Sequence, residues 1–105
     1  MGRKKHIIDS LEEFKKETEK SMPISKLIFF GSRATGKPRK YSDVDMIVVS
    51  PEFGDMKFRE RATRMYDYWN LDYPVDFLCY TPEEFEKKKT GIGIIHEAVK
   101  AGIEI

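Results

Sequence analysis

Between Lys26 and Val49 the chain reads Lys26-Leu27-Ile28-Phe29-Phe30-Gly31-Ser32-Arg33-Ala34-Thr35-Gly36, and it ends on Ser42-Asp43-Val44-Asp45-Met46-Ile47-Val48-Val49. Lys26 to Phe30 is a short apolar run that predicts a buried strand. Gly31 to Ser42 is rich in Gly, Pro, Ser and cations and predicts a loop, with one helical turn after Ser32. Asp43 to Val49 is β-branched and apolar apart from two aspartates, and predicts the next strand. Two residues apart on a strand, Asp43 and Asp45 point to one face. Such a pair is either a solvated strand end or a site where a divalent cation such as Mg²⁺ offsets the repulsion. Gly31-Ser32 directly after a buried strand is either an ordinary turn or an anion cradle. In a cradle the missing Cβ admits backbone N–H groups, Ser32 adds a hydroxyl, and a helical turn adds its positive end.

Working outward, a third strand is predicted at Val75 to Tyr80, where Asp76 interrupts an apolar run. A carboxylate inside a buried strand is costly unless it is paired or binds a cation. If this strand lies beside the second, Asp76 joins Asp43 and Asp45 at one sheet edge. Three carboxylates facing a phosphate-binding turn suit two-metal phosphoryl or nucleotidyl transfer.

Helices fill the intervals. Ile7, Leu11 and Phe14 recur at helical spacing, so residues 4–20 predict an amphipathic helix. Ser10 and Glu13 match a capping box that would start its regular part at Leu11. Phe58, Ala62, Met65 and Trp69 mark a second helix, stopped by Tyr73-Pro74. Thr81-Pro82-Glu83-Glu84 is a helix start with N-cap, first-position proline and box glutamate. A last helix is expected over Ile94 to Lys100 with Gly102 as its stop, then a short edge strand at Ile103-Glu104-Ile105. The predicted fold is α/β: a small mixed β-sheet with helices packed mainly on one face.

At 105 residues the chain is one domain, 1–105, without room for separate catalytic and substrate domains. Its 19 basic and 18 acidic side chains give a net charge of +1, so overall basicity makes no case for nucleic acid or membrane binding. The single cysteine, Cys79, excludes an intrachain disulfide framework and fits a reducing compartment. No apolar run approaches a membrane span, and no signal core precedes the first helix. A small cytoplasmic domain is expected. His6 and His96 are distant in sequence from the aspartates and read as structural or surface residues, and Cys79 as core by strand parity. Tyr66, Tyr68, Trp69 and Tyr73 read mainly as packing, although Tyr68 falls off the apolar stripe and is available to stack on a base or a partner. Lys87-Lys88-Lys89 reads as a solvated, helix-ending run.

Gly31-Ser32, ten intervening residues and Asp43-Val44-Asp45 resemble the signature of the polymerase-beta-type nucleotidyltransferase superfamily. The longer run from Phe30 to Gly36 and Ser42 to Asp45 is similar to its minimal members, small nucleotidyltransferases often paired with a helical protein. Val75-Asp76-Phe77, Tyr80 to Phe85 and the closing Gly102 to Ile105 also resemble that family, so the likeness covers residues 25–105. Met46 stands where Leu is more usual, a volume-conserving change. The resemblance implies the palm-like fold and transfer of a nucleoside monophosphate from a nucleoside triphosphate, ATP first, to an acceptor hydroxyl with release of pyrophosphate. It implies that Gly31 and Ser32 hold the triphosphate and that Asp43 and Asp45 are metal ligands. Asp76 would be the third carboxylate, a ligand of a second Mg²⁺ or the base for the acceptor. Arg33 is placed either for a phosphate contact or as a plain loop cation, and the same pair of readings applies to Lys37, Arg39 and Lys40. The acceptor implied is a tyrosine of a toxin-like helical partner protein, or an RNA end. The alternative is an antitoxin-type module that neutralises such a partner mainly by forming a complex. At this length association is expected, with a helical partner or a second copy, through the aromatic-rich second helix or the final helix.

Overall fold

A computed structural model of the chain describes residues 2–35 and 43–105. Gly36, Lys37, Arg39, Lys40 and Ser42 lie outside the described residues. Helix α1 spans Gly2–Glu19 and buries Ile7, Leu11 and Phe14. It does not begin at the Ser10–Glu13 box. Ile7, on the N-terminal side of Ser10, is buried in the same core as Leu11, and that packing carries the helix through the local stop signal. Strand β1 (Lys26–Phe30) leads into the single turn α2 (Ser32–Thr35), and β2 follows at Val44–Val49. A 3₁₀ turn, Pro51–Asp55, is capped by Ser50, whose Oγ accepts the Glu52 N–H at 3.2 Å.

Helix α3 (Phe58–Tyr66) ends before Trp69, short of its predicted length. The indole Nε1–H of Trp69 donates to the Tyr73 carbonyl at 2.9 Å, which folds the segment into a loop. Trp69 still reaches the core, its ring edge-on to Phe14 with centroids 5.1 Å apart. Strand β3 (Val75–Tyr80), α4 (Pro82–Lys89), α5 (Ile94–Ala101) and β4 (Ile103–Glu104) complete the chain, close to their expected bounds. At α4 the predicted box forms: Thr81 Oγ1 accepts the Glu84 N–H at 3.2 Å, and the Thr81 N–H donates to Glu84 Oε1 at 2.9 Å.

The four strands lie in the order β3-β2-β1-β4. β1 is antiparallel to β2 and β4, while β2 and β3 run parallel with α3 in the crossover. The larger core lies on one face: Leu27, Phe29, Val44, Met46, Val48, Phe77 and Cys79 meet α1 and Met65 of α3. On the other face Ile28, Phe30, Ile47, Val49 and Tyr80 meet Phe85 of α4 with Ile95 and Ala98 of α5. The longer helices α1 and α3 thus cover the larger core, and the two short C-terminal helices α4 and α5 cover the other face. Among the described residues no helix is long and apolar enough to cross a membrane.

Candidate active site

Register brings the distant aspartates together. Phe30 of β1 pairs with Asp45 of β2, and Asp45 pairs with Asp76 of β3. Residues in one row of a sheet project to one face, so this row has Phe30 against the smaller core and two carboxylates beside it. The next row along, Ile28, Ile47 and Leu78, is apolar. The acidic row is therefore the end of a buried face. Asp43 stands one residue before β2, which begins at Val44 rather than at Asp43, and is exposed.

Gly31 turns away from this row with φ +86°, a conformation that side chains other than glycine rarely adopt. A Cβ at this position would overlap the Asp45 carboxylate, with Asp45 Cγ at 3.1 Å. Backbone and carboxylate are in direct apposition here, and only glycine permits it. Ser32 opens α2; the contact predicted for its hydroxyl lies outside the described side chains. Arg33 is half-buried, its guanidinium 5.3 Å from the centroid of the Tyr73 ring, which draws Arg33 toward the residues just before β3.

Burial pushes the Asp45 carboxyl above its usual 3.8, and the negative charges of Asp76 and Asp43 push it further the same way. The sequence places desolvation at Asp76, between Val75 and Phe77. In the fold Asp76 is exposed at the start of an edge strand, and the desolvated member is Asp45 in the second strand of the sheet. No three acidic, imidazole or thiol groups among the described residues converge as a ready-made metal cage. Mg²⁺ seldom needs one, because it is commonly held by one or two carboxylates together with substrate phosphates. A row that concentrates acidic groups fits that use.

Two residues gain weight that spacing did not give them. Tyr66 closes α3, and its hydroxyl donates to the Val75 carbonyl at 2.9 Å. Burial first, and then the charges of Asp76 and Asp43, push this phenol above its usual value. Arg61 is buried between α3 and α4, its Nη1 at 2.6 Å from Glu84 Oε1 and 3.3 Å from the Cys79 carbonyl. Neither position carries a sequence signal, since each depends on where α3 meets β3. Burial pushes the Cys79 thiol up to about 12, so it is a neutral core group and not a nucleophile. His96 donates from Nδ1 to the Lys89 carbonyl at 3.1 Å, a local contact between α4 and α5. A groove of about 500 Å³ lies elsewhere, along α3 between Met56 and Asp67.

Residues 11–101 match the model of the nucleotidyltransferase domain family. Over 60 residues the chain is 38% identical to MntA of Haemophilus influenzae, covering 55% of this chain and 53% of that protein, so the match spans about half of that relative. Over 101 residues it is 27% identical to a protein of Methanocaldococcus jannaschii, covering 94% and 98% of the two chains. The names of both relatives describe protein adenylyltransferases. A crystal structure from Sulfolobus solfataricus, titled as a nucleotidyltransferase, shares the fold with a TM-score of 0.67 over 96% of this chain and 80% of that one, at 20% identity.

Proposed function

The chain belongs to the nucleotidyltransferase domain family, and from that premise we propose that it moves a nucleoside monophosphate from a nucleoside triphosphate to an acceptor hydroxyl. The observation that carries this reading is the row in which Asp45 and Asp76 pair, with the Gly31 backbone against the Asp45 carboxylate and Asp43 beside it. In the reaction the acceptor oxygen bonds to the α-phosphorus, the bond to the bridging oxygen breaks, and pyrophosphate leaves. Asp43 and Asp45 would hold Mg²⁺, with Asp76 contributing to a second ion, and the metal would neutralise charge on the triphosphate. Gly31 keeps the backbone close to Asp45, so the phosphates enter beside β1. Asp76 sits across Asp45 on the β3 side, where it faces the acceptor and takes its proton. Donor and acceptor thus approach from opposite sides of Asp45.

ATP is the proposed donor and a tyrosine of a helical partner protein the proposed acceptor. The names of the two relatives support a protein acceptor. The test is incubation of the protein with labelled ATP, Mg²⁺ and a cell lysate. Label should move to protein and be lost with excess chelator or in Asp45→Asn. Transfer that persists in both overturns the reading.

A further inference from the structure

Side chains on the same face of the sheet as the aspartates are the ones able to touch what those carboxylates hold. On β3 that face carries Asp76, Leu78 and Tyr80, because the alternate residues Phe77 and Cys79 lie in the larger core. Burial grows along the strand: Asp76 is exposed, Leu78 half-buried and Tyr80 buried. Cover on this face is therefore close over Tyr80, partial over Leu78 and lost at Asp76. In the acidic row and the row beside it the other apolar members, Phe30, Ile28 and Ile47, are buried. Leu78 keeps open surface, and it is the next residue after Asp76 on that face. The tyrosines near the end of α3 are on the opposite side. The Tyr66 ring packs on Phe77 with centroids 5.2 Å apart, and Tyr68 packs against the larger core and accepts a hydrogen bond from Arg64 Nε at 3.1 Å. Tyr68 therefore does not stack on a group held at the aspartates.

We infer that Leu78 is a specificity-determining residue of the acceptor side, the apolar surface on which the ring of a phenol acceptor rests while its oxygen meets Asp76. This rests on the transfer reaction proposed above and names the side chain that selects its acceptor. Two placements set the side. A Cβ on Gly31 would overlap the Asp45 carboxylate, so that carboxylate leans toward β1, where the proposed reaction has its phosphates. Asp76 and Leu78 belong to β3, across β2 from Gly31. Length sets the kind of acceptor. Alternate residues on one strand face are roughly 6–7 Å apart, a distance comparable with the span of a phenol side chain from its Cβ to its oxygen. A phenol with its oxygen at Asp76 can therefore lay its ring toward Leu78. A serine or threonine hydroxyl is one bond from its Cβ, so it meets Asp76 without covering Leu78 and gains nothing from it. The contact is apolar, so it holds the ring without competing for the proton that Asp76 takes.

The experiment uses the full chain with ATP and Mg²⁺, N-acetyl-tyrosinamide as phenol acceptor and N-acetyl-serinamide as aliphatic control. In Leu78→Ala the KM for tyrosinamide should rise about five- to tenfold, while the KM for serinamide and for ATP stay within about twofold. Leu78→Met keeps the side-chain volume and should stay within about twofold of wild type for all three. Binding is read independently on the metal-free protein, where tyrosinamide but not serinamide should shift the NMR signals of the Leu78 methyl groups. That shift alone decides if neither free amide is labelled. An unchanged tyrosinamide KM in Leu78→Ala overturns the inference. A rise shared equally by all three substrates, with a lowered thermal midpoint, also overturns it, since Leu78 would then only support the fold. So does a rise confined to ATP, because the donor would then occupy this surface. Labelling of lysate protein tests the reaction separately. If no protein is labelled yet tyrosinamide shifts Leu78, the reaction fails and the phenol surface stands. If protein is labelled and Leu78 does not respond, the reaction stands and the inference fails. If neither happens, both fail.

Discussion

Asp45 is the side chain on which burial and two like charges act together, and that fixes how the protein should respond to pH. Its folded pKa is raised above 3.8 by burial, then Asp76, then Asp43. The folded state therefore holds this proton more tightly than the unfolded chain. As pH rises from about 3.8 through the raised value, the unfolded state gives up its proton first and stability falls. The metal-free protein should lose thermal midpoint across that window, and Asp45→Asn should flatten the loss and melt higher at neutral pH. Mg²⁺ should raise the wild-type midpoint and leave the variant nearly unmoved. Parallel pH slopes for the two proteins would show that Asp45 bears no such strain. A second prediction separates the carboxylates by position. Asp76→Asn, altered on the exposed acceptor side, should bind Mg-ATP within about twofold of wild type while transfer drops by about 10²-fold or more. Asp43→Asn should lose both. Calorimetric titration decides: loss of Mg-ATP binding in Asp76→Asn equal to that in Asp43→Asn removes the division of labour.

Elements were legible where one local signal met no opposition. The Thr81-Pro82-Glu83-Glu84 start forms as read, because cap, proline and glutamate all favour the same φ/ψ and the pairing of Glu84 with Arg61 leaves the box intact. The Ser10–Glu13 box is equally well formed as a pattern and is silent, because the buried Ile7 holds the preceding turn helical. Strand period alone left Asp43 and Asp45 as a solvated end or a cation site; the meeting of Asp45 with Asp76 depends on β3 lying beside β2, and which carboxylate is dry required the strand order. An apolar run does not say whether it becomes an edge or an inner strand. Arg61 was hidden for the same kind of reason, since only the docking of α3 on β3 makes it a buried cation. Glu84 serves that cation and the Thr81 cap at once. Its carboxyl is held below its usual 4.5, first by Arg61 and then by the Thr81 backbone. The stabilisation is therefore present above pH 4.5 and is lost as pH falls through the lower folded value. Glu84→Gln should cost about 1–2 kcal/mol in denaturant unfolding at neutral pH, at the low end for a buried pair because the Glu84 side chain is 42% exposed. Against wild type, the difference should shrink in acid. A difference that is constant with pH would show that the ionised carboxylate contributes nothing.

Across the whole molecule, apolar surface remains where the C-terminal helices meet. Ile92 is fully exposed between Gly91 and Gly93, and Ile94 is 61% exposed. Val99, on the same helix as Ile94, is 42% exposed, while Ile95 and Ala98 of that helix are buried on the sheet. The helix thus spends one side on the smaller core and offers apolar residues on another. Lys87, Lys88 and Lys89 lie just before this corner, and Lys88 lines a groove of about 260 Å³ with Tyr80, Ile92 and Ile94. Apolar residues bordered by cations fit an amphipathic helix with an acidic rim, which is the form the proposed helical partner should take at this surface. The aromatic-rich end of α3 is the weaker candidate for that contact, since Tyr68, Trp69 and Tyr73 are already committed to the core. Ile92→Asp and Ile94→Glu change side chains that bury little, so each should leave the unfolding free energy within about 0.5 kcal/mol of wild type. Each should also weaken association by about tenfold or more, read by light scattering and by pull-down of the partner. Adding salt should weaken it further if the lysines contribute, as solvent-exposed charge pairs are screened beyond about 10 Å at 0.1 M. A wild-type chain that is cleanly monomeric and captures no helical protein would remove association from the picture. Full association in both charged variants would instead move the contact off α5 and back toward α3.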